Sequence, residues 1–423
     1  MSPPLSEMIR LFNYTAGVCL LGCWIVLFSV ALGQTDTLTR PAIFDHPTDF
    51  SSSPDLPELE SIEPEMIYAA VTRGVQFLLE AQNPNGSWGS ATRTKDLNIY
   101  APVPGAHHAF RMGATGLAVS SLIDARVQLQ DQLSEPVLQQ IDSAIDRCEV
   151  WMLENLPQLR RATGDAMYNV WGHAYGITAL VRLRGRKTDD LQRQAKIDQL
   201  IAQQIEMLDR YESVDGGWGY YDFRFQAKKP TADSTSFVNG TVLVALHQAQ
   251  QIGIQAPERV VQRAVAAIVR QQKPDFTYLY GEYMKYRPMV DINRPGGSLG
   301  RSQVCNLALR LWNHPSITEN VIKHWLLRLY VRNGWLDIGR KRPVPHESWF
   351  AVAGYFYYYG HYYAALSIQE LPESEQGPYK NMVARLLLPL QEENGAWWDY
   401  PLYNYHEPYG TGYAIISLLR CLP

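Results

Sequence analysis

Six segments of this chain share one pattern, a small residue followed by Ala, Leu and Ile at helical spacing. They read TGLAVSSLIDA, YGITALVRLRG, NGTVLVALHQA, VCNLALRLWNH, YGHYYAALSIQ and TGYAIISLLRC. Aligned on the second letter, their anchors are Gly116, Gly176, Gly240, Cys305, Gly360 and Gly412, separated by 60, 64, 65, 55 and 52 residues. A glycine inside a helix costs about 1 kcal/mol relative to alanine, so one that returns with each period marks a place where helices approach too closely for a side chain. Each segment is paired with a preceding helix that is more polar and charged on one face, such as DDLQRQAKIDQLIAQQIEML or PERVVQRAVAAIVRQQ. The alternation predicts an all-α chain folded as an α/α toroid, a double ring of about six helical hairpins with the anchored helices inside.

The repeat begins near Glu65, which divides the chain into residues 1–33, 34–64 and 65–423. Ala16 to Gly33, AGVCLLGCWIVLFSVALG, is free of charge, follows Arg10 and ends in small residues; it reads as an export signal, with an uncleaved membrane anchor as the alternative. The expectation is a periplasmic or extracellular protein, or one held at a membrane by residues 16–33. Residues 34–64, rich in Pro, Ser, Asp and Thr without hydrophobic period, read as a flexible tether. A formal charge of −4, with no basic run longer than Arg340-Lys341-Arg342, leaves no footprint for nucleic acid. Beyond the leader the cysteines are Cys148, Cys305 and Cys421, too scattered for a disulfide framework or a CxxC metal site.

The stretch from Arg73 to Trp88, RGVQFLLEAQNPNGSW, runs basic, Gly, two of any, aromatic, aliphatic, three of any, Gln, three of any, Gly, any, Trp. In this it resembles the QW motif of the terpenoid cyclase and protein prenyltransferase superfamily, above all the squalene, hopene and oxidosqualene cyclases. A second copy, QEENGAW, ends the chain with Gln391, Gly395 and Trp397; ESVDGGW has Glu212 for the glutamine, VRNGW is a fifth-hairpin remnant, and the fourth hairpin, QQKPDFTYLYG, has lost the signature. In the family the motif ties the end of an outer helix to its neighbour, so the resemblance implies the toroid over residues 65–423.

The family's activities are a separate matter. Class II cyclases protonate an alkene with the third Asp of a DxDDTA motif at the start of an inner helix, and Asp233 of TADSTS stands there with Thr231 and Ser234 in place of the flanking aspartates. Squalene-type cyclases also have two such domains where this chain has one. Prenyltransferase β-subunits hold zinc through an Asp-x-Cys pair and a later His; no Asp-x-Cys occurs here, and Cys305 with His361 and Asp291 or His346 would be a different set. No metal and no cofactor is assigned. If the chain is an enzyme, the resemblance implies a squalene-cyclase-like isomerase or lyase, or a transferase.

Short connections such as RGRKT and NHPS lead out of the anchored helices, and long ones lead into them, which places function at the N-terminal end of the inner ring. The residues due there include His107, His108, Asp165, Tyr168, Trp171, His173, Ser236, Asn239, Ser302 and Tyr409. Asp233, His346, Glu347, His406 and Glu407 are the candidate acids and bases; Tyr168, Trp171, His173, Asn239, Arg301, Tyr358, His361, Tyr362 and Tyr409 are the candidate substrate contacts. Plainer roles compete: Asp233 or Ser234 as a helix cap, His406-Glu407 as a turn bonded to backbone, the tyrosines as packing. In YFYYYGHYY, helical spacing puts Tyr355, Tyr358, Tyr359 and Tyr362 on one face. Such a face can line a pocket for a cation, a polyprenoid tail or a sugar ring, and converging helix N-termini rimmed by Arg294, Arg301, Arg340 and Arg342 favour an anion. Three readings follow: a terpenoid-cyclase-like protein binding or transforming an isoprenoid or other lipid in the central cavity; a carbohydrate-active lyase or hydrolase with paired carboxylates among Asp165, Asp233, Glu347 and Glu407; and a non-catalytic exported toroid that binds a partner at its mouth.

Overall fold

A computed structural model describes residues 48–95, 104–222, 229–230 and 234–423. The leader, residues 34–47 of the tether and Asp233 lie outside the described residues. Among the described residues, twelve helices of three turns or more alternate between two rings. They are α1 (Pro64–Glu80), α2 (Pro104–Gln128), α3 (Glu135–Asn155), α4 (Asn169–Arg184), α5 (Leu191–Tyr211), α6 (Ser236–Gln251), α7 (Glu258–Gln271), α8 (Pro295–Leu311), α9 (Glu319–Val331), α10 (Tyr357–Ile368), α11 (Glu373–Leu387) and α12 (His406–Leu419). There is no strand among the described residues, and no helix among them is long and apolar enough to cross a membrane.

The even-numbered helices form the inner ring, each packed on the next from α2 to α12, and α12 packs back on α2. Burial separates the rings: α6 buries twelve of its sixteen residues, whereas its outer partner α7 buries six of fourteen along one stripe. The anchors do what their recurrence predicts. A Cβ on Gly116 would stand 2.7 Å from the carbonyl oxygen of Tyr175 on α4, and one on Gly360 would stand 2.8 Å from the Cα of Gly300 on α8. Gly176 differs: it faces Leu156, on its own outer side, so its small size serves the outer ring. Asp124 closes the C-terminal end of the inner ring between Arg182 at 2.9 Å and Arg420 at 3.3 Å. Burial alone would raise this carboxyl, but the two guanidiniums outweigh it and hold it below the usual carboxylate range.

The outer ring is joined by one device used repeatedly. The Gln82 amide donates to the carbonyls of Gly86 (3.0 Å) and of Ala144 on α3 (2.8 Å), and Arg147 on α3 donates back to Gln82. Trp88 is fully buried, its indole N–H on Leu78 O at 2.7 Å. At the end of the chain Gln391 donates to Ala70 O on α1 at 2.9 Å, Arg73 Nε donates to Gln391 at 3.0 Å, and the Trp397 indole donates to Leu387 O at 2.9 Å. That contact closes the ring. In the third hairpin Glu212 replaces the glutamine and the same hand-over becomes an ion pair, Arg263 Nε to Glu212 at 2.7 Å.

Two readings of weaker copies change. The fourth hairpin keeps the turn although it lost the signature. The Gln272–Tyr278 bridge repeats that of Gln82–Trp88, with fully buried Tyr278 in the tryptophan's place and Phe276 at φ 59° where Gly86 has φ 91°. VRNGW, by contrast, forms no such turn: it runs into the short helix Gly334–Asp337, Gly334 is uncrowded, and Trp335 lies half-buried against Phe350.

The toroid also begins earlier than residue 65. Residues 49–63 lie as a strap across the outer helices: Asn320 and His324 on α9 bond Ser51 O and Ser52 O at 2.8 and 3.0 Å, and Asn381 on α11 bonds Glu60 O and Ile62 N at 2.8 and 3.0 Å. Phe50, Leu56, Leu59 and Ile62 pack on the core at irregular intervals, so no period announces them.

Gly395 sits at φ 87°, with a Cβ placed 2.6 Å from Arg73 O. Gly395→Ala is therefore expected to cost about 2 kcal/mol or more, read as a fall in denaturant midpoint; unchanged stability would show that this turn does not govern ring closure.

Candidate ligand cavity

The N-terminal parts of α2, α4, α6, α10 and α12, with the segments that lead into them, line a cavity of about 160 Å³. From α2 come Phe110, Gly113 and Leu117; from α4, Trp171 and Tyr175; from α6, Phe237; from α12, Tyr409 and Tyr413. The turn before α10 adds Tyr355 and Phe356, its first turn adds Tyr359, and connecting segments supply Tyr168, Tyr220, Tyr400 and Tyr405. No charged side chain lines the cavity among the described residues.

Each of the nine lining tyrosines has a partner for its hydroxyl in the surrounding structure. Tyr359 donates to Phe237 O at 2.9 Å and meets Thr241 at 2.9 Å, and Thr241 is also the acceptor for Tyr363 at 3.0 Å. Tyr175 joins Tyr413 and lies 3.4 Å from Tyr363. Tyr168 donates to Tyr221 at 2.7 Å, Tyr220 meets Tyr280, Tyr355 meets His346 Nε2 at 3.1 Å, and Tyr405 meets His107 Nδ1 at 3.3 Å. Tyr409 donates to Asp399 at 2.7 Å, and Lys95 donates to Tyr400. Burial raises Tyr175, Tyr359, Tyr409 and Tyr413 well above the ordinary phenol value, so all four stay neutral. With the hydroxyls so tied, the cavity is faced mainly by ring carbon, whose π-faces attract alkenes, other rings and positive charge.

Three of the expected contacts, Tyr168, Trp171 and Tyr409, line this space. Along the tyrosine run, Tyr355, Phe356 and Tyr359 face it, while Tyr358 and Tyr362 are buried elsewhere: Tyr358 points about 100° around the helix from Tyr359, beside Asp399, and Tyr362 lies deeper in the ring, near Arg182, Arg420 and Asp124. His361 donates from Nδ1 to Tyr357 O at 2.7 Å and accepts from Asn333 at 2.9 Å. His173 is paired to Gln204 at 2.7 Å. Burial lowers both imidazoles to about 4. Asn239 accepts from the backbone N–H of Trp218 and so secures the third turn. Arg301 is buried, lowered by that burial to about 10, and donates to the carbonyls of Gly297 (2.6 Å), Tyr278 and Ile292.

Asp233 lies outside the described residues; the other candidate acids and bases also stand back from the cavity. His346 supports Tyr355 from behind, with Nδ1 on Ala351 O at 2.7 Å; His406 has Nδ1 on Tyr403 O at 2.6 Å. Burial lowers both of these imidazoles. Glu347 lies 3.9 Å from Arg342, and Glu407 accepts from Asn394 at 3.4 Å. Asp165 accepts from Thr163. Of the rim arginines, Arg294 and Arg340 pair with Asp291 (3.4 Å) and Asp337 (2.7 Å). No group of three or more metal-ligating side chains occurs among the described residues.

Asp399 escaped the sequence reading. It is fully buried between α10 and α12, accepting from Tyr358 N at 3.0 Å and from Tyr409 at 2.7 Å. Its signal was a lone carboxylate inside an aromatic run, WWDYPLYNY, which also supplies Tyr400 and Tyr405.

No family model matches the chain, and no curated protein matches it. Among solved structures it is similar to cellobiose 2-epimerase from Spirochaeta thermophila DSM 6192, with 13% identity over 85% of this chain and 98% of that one and a TM-score of 0.53. It is similar to α-1,6-mannanase GH76A of Salegentibacter sp. HEL1_6, with 12% identity over 84% and 98% and a TM-score of 0.51. It also matches type II terpene cyclase MstE from Scytonema, with 12% identity over 86% and 99% and a TM-score of 0.47. At such identities the likeness shows the fold alone. The chain is an α/α toroid.

Burial pushes the Asp399 carboxyl up to about 7, against the hydrogen bonds from Tyr409 and Tyr358 that pull it down. The unfolded carboxyl titrates near ~3.9, so between about pH 4 and 7 the folded chain holds the extra proton and loses stability as pH rises. Asp399→Asn removes that loss. Its stability relative to the native chain is expected to improve by on the order of 3 kcal/mol from pH 4 to pH 8 in parallel denaturant titrations; a pH-independent difference would rule out the buried proton.

Proposed function

We propose that this protein, exported or held at a membrane by residues 16–33, binds an isoprenoid or a comparably apolar, unsaturated ligand in its aromatic cavity. The supporting observation is a lining of tyrosine, tryptophan and phenylalanine faces whose hydroxyls are already engaged. A sugar ring also stacks on aromatics, but its hydroxyls need polar partners and cleavage needs carboxylates. Here the hydroxyls are occupied, and no carboxylate lines the cavity among the described residues. The resemblance carried by residues 73–88 points to the same ligand class.

Size narrows the ligand further. A space of about 160 Å³ compares with the ~150 Å³ cavity that takes benzene. About one five-carbon unit fills it by that measure, and the rest of a longer chain must run out through the mouth. The reading is one of binding; turnover is a further question that the same ligands can answer.

Trp171 stacks on Tyr175 at 6.2 Å and on Phe237 at 5.9 Å, so its fluorescence reports on the cavity. Titration with geraniol and farnesol is expected to change the emission saturably. Tyr359→Ala and Trp171→Ala should weaken binding about tenfold or more, from lost area and ring contact, measured for the tryptophan variant by calorimetry. Saturable binding of cello- or manno-oligosaccharides with none of the isoprenoid alcohols would replace this reading with the carbohydrate one.

A further inference from the structure

One lysine meets the cavity wall from behind. Lys95, in the connection that leads into α2, reaches two other connections on the same side of the ring. Its Nζ donates to Pro343 O at 2.5 Å and to the Tyr400 hydroxyl, and lies 4.0 Å from the centroid of the Tyr400 ring. Beside it Thr94 donates to Tyr403 O at 3.1 Å, and Asn404 N donates to Ser90 O at 3.3 Å, so the segment carrying the lysine is laced to the turn before α12. The Tyr400 hydroxyl donates to the same Pro343 carbonyl at 3.5 Å, which makes a closed triangle of amine, phenol and carbonyl. The ring of this tyrosine lines the cavity. A single side chain therefore separates the amine from the space that a ligand fills.

An amine in this setting can act as a nucleophile. An ordinary lysine is protonated near neutral pH and has no lone pair to give. Withdrawal from water lowers Lys95 to about 8 and leaves a share of it as free amine. Lysines activated by desolvation form imines with carbonyl compounds. The cavity selects which compound: its lining of ring carbon suits an unsaturated chain, and about one five-carbon unit fills it. The next unit of a longer chain runs past Tyr400, which brings the chain's end to the lysine. A 2-enal is favoured over a saturated aldehyde, because the positive charge of its protonated imine spreads along the conjugated chain towards the aromatic faces.

We propose that Lys95 captures the aldehyde end of an isoprenoid 2-enal as an imine while the tail of the chain lies in the aromatic cavity. The inference rests on the ligand reading above and names the functional group that the ligand carries. The Nζ lone pair forms a bond to the aldehyde carbon, the carbonyl π pair moves to oxygen, and one N–H proton passes to that oxygen. The Tyr400 hydroxyl then protonates the leaving hydroxyl, water departs, and the nitrogen lone pair closes the C=N bond. The second N–H proton returns to the Tyr400 oxygen. Amine and aldehyde become imine and water, and nothing is oxidised or reduced.

The test uses the full chain, geranial as the probe, sodium cyanoborohydride to fix any imine as a secondary amine, and peptide mass mapping to locate it. At neutral pH the adduct is expected at Lys95 at least about tenfold faster than at the exposed Lys196 and Lys285. Prenal, a five-carbon enal that fills the cavity without reaching out of it, should label Lys95 at least about tenfold more slowly than geranial. Excess geraniol should protect Lys95 and leave the surface lysines unprotected. Lys95→Arg should remove the preferred adduct, and Tyr400→Phe, which keeps the ring and loses the proton donor, should slow its formation. Labelling of Lys95 no faster than of Lys196 would overturn the proposal, as would a Lys95 adduct that geraniol fails to protect although geraniol binds. The effect of geraniol on Trp171 emission reads the cavity separately: geraniol binding without a Lys95 adduct keeps the ligand reading and sinks the imine, and the absence of both removes the two together.

Discussion

The contact from Gln391 to the backbone of α1 joins the last hairpin to the first, across more than three hundred residues of sequence. A hairpin with one apolar face cannot bury that face alone, and in a ring each hairpin depends on the next. The hand-overs at Gln82, Glu212 and Gln391 each combine a side-chain amide or carboxylate with an arginine of the following outer helix and fix a large aromatic beneath the turn. The individual hydrogen bonds contribute about 1 kcal/mol each. Their greater effect is geometric, because they set the angle between successive hairpins, and only one angle lets α12 meet α2.

Closure decides what the centre can be. Six helices that touch through glycine at Gly116 and Gly360 come close to one another yet leave space along the axis. One end of that space is closed by Asp124 and its two arginines. At the other, aromatic rings define the walls. A tyrosine suits this position better than a leucine or phenylalanine, since its hydroxyl can be tied outside the lining while its ring is held at a fixed tilt. Thr241 shows how, bonding Tyr359 and Tyr363 from behind and fixing both.

The architecture was legible because repetition reports on it: six anchors, alternating polar and apolar helices, and a sixteen-residue motif. What a turn needs is less specific than what it usually contains, so the fourth hairpin hid its turn. A buried tyrosine fills the tryptophan's volume, and Phe276 accepts a backbone that glycine would adopt more cheaply, held by contact with Phe50 at 4.8 Å. The strap over residues 49–63 hid for the opposite reason, having contacts but no period. The site was legible in part. Tyr168, Trp171 and Tyr409 sit where inner helices begin, and position alone finds them. Position could not tell His173, Asn239 or Arg301 from cavity residues, since each lies at the same level but turns into the protein to meet a carbonyl or amide. Tyr358 and Tyr362 were misplaced because a shared helical face is broader and longer than the cavity: Tyr358 turns aside to Asp399, and Tyr362 lies too deep, near Asp124 and its arginines.

That inward turning changes what the converging helix ends can do. Six N-termini around a mouth suggest an anion site, but several donors and cations near this one already have partners. The first N–H groups of α10 include that of Tyr358, which Asp399 accepts, and Arg301 at the head of α8 is spent on three carbonyls. Arg294 and Arg340 face aspartates of their own loops. What remains towards the cavity is the negative face of aromatic quadrupoles in a low-dielectric space. Such a field repels a carboxylate or diphosphate and attracts an electron-poor or cationic carbon.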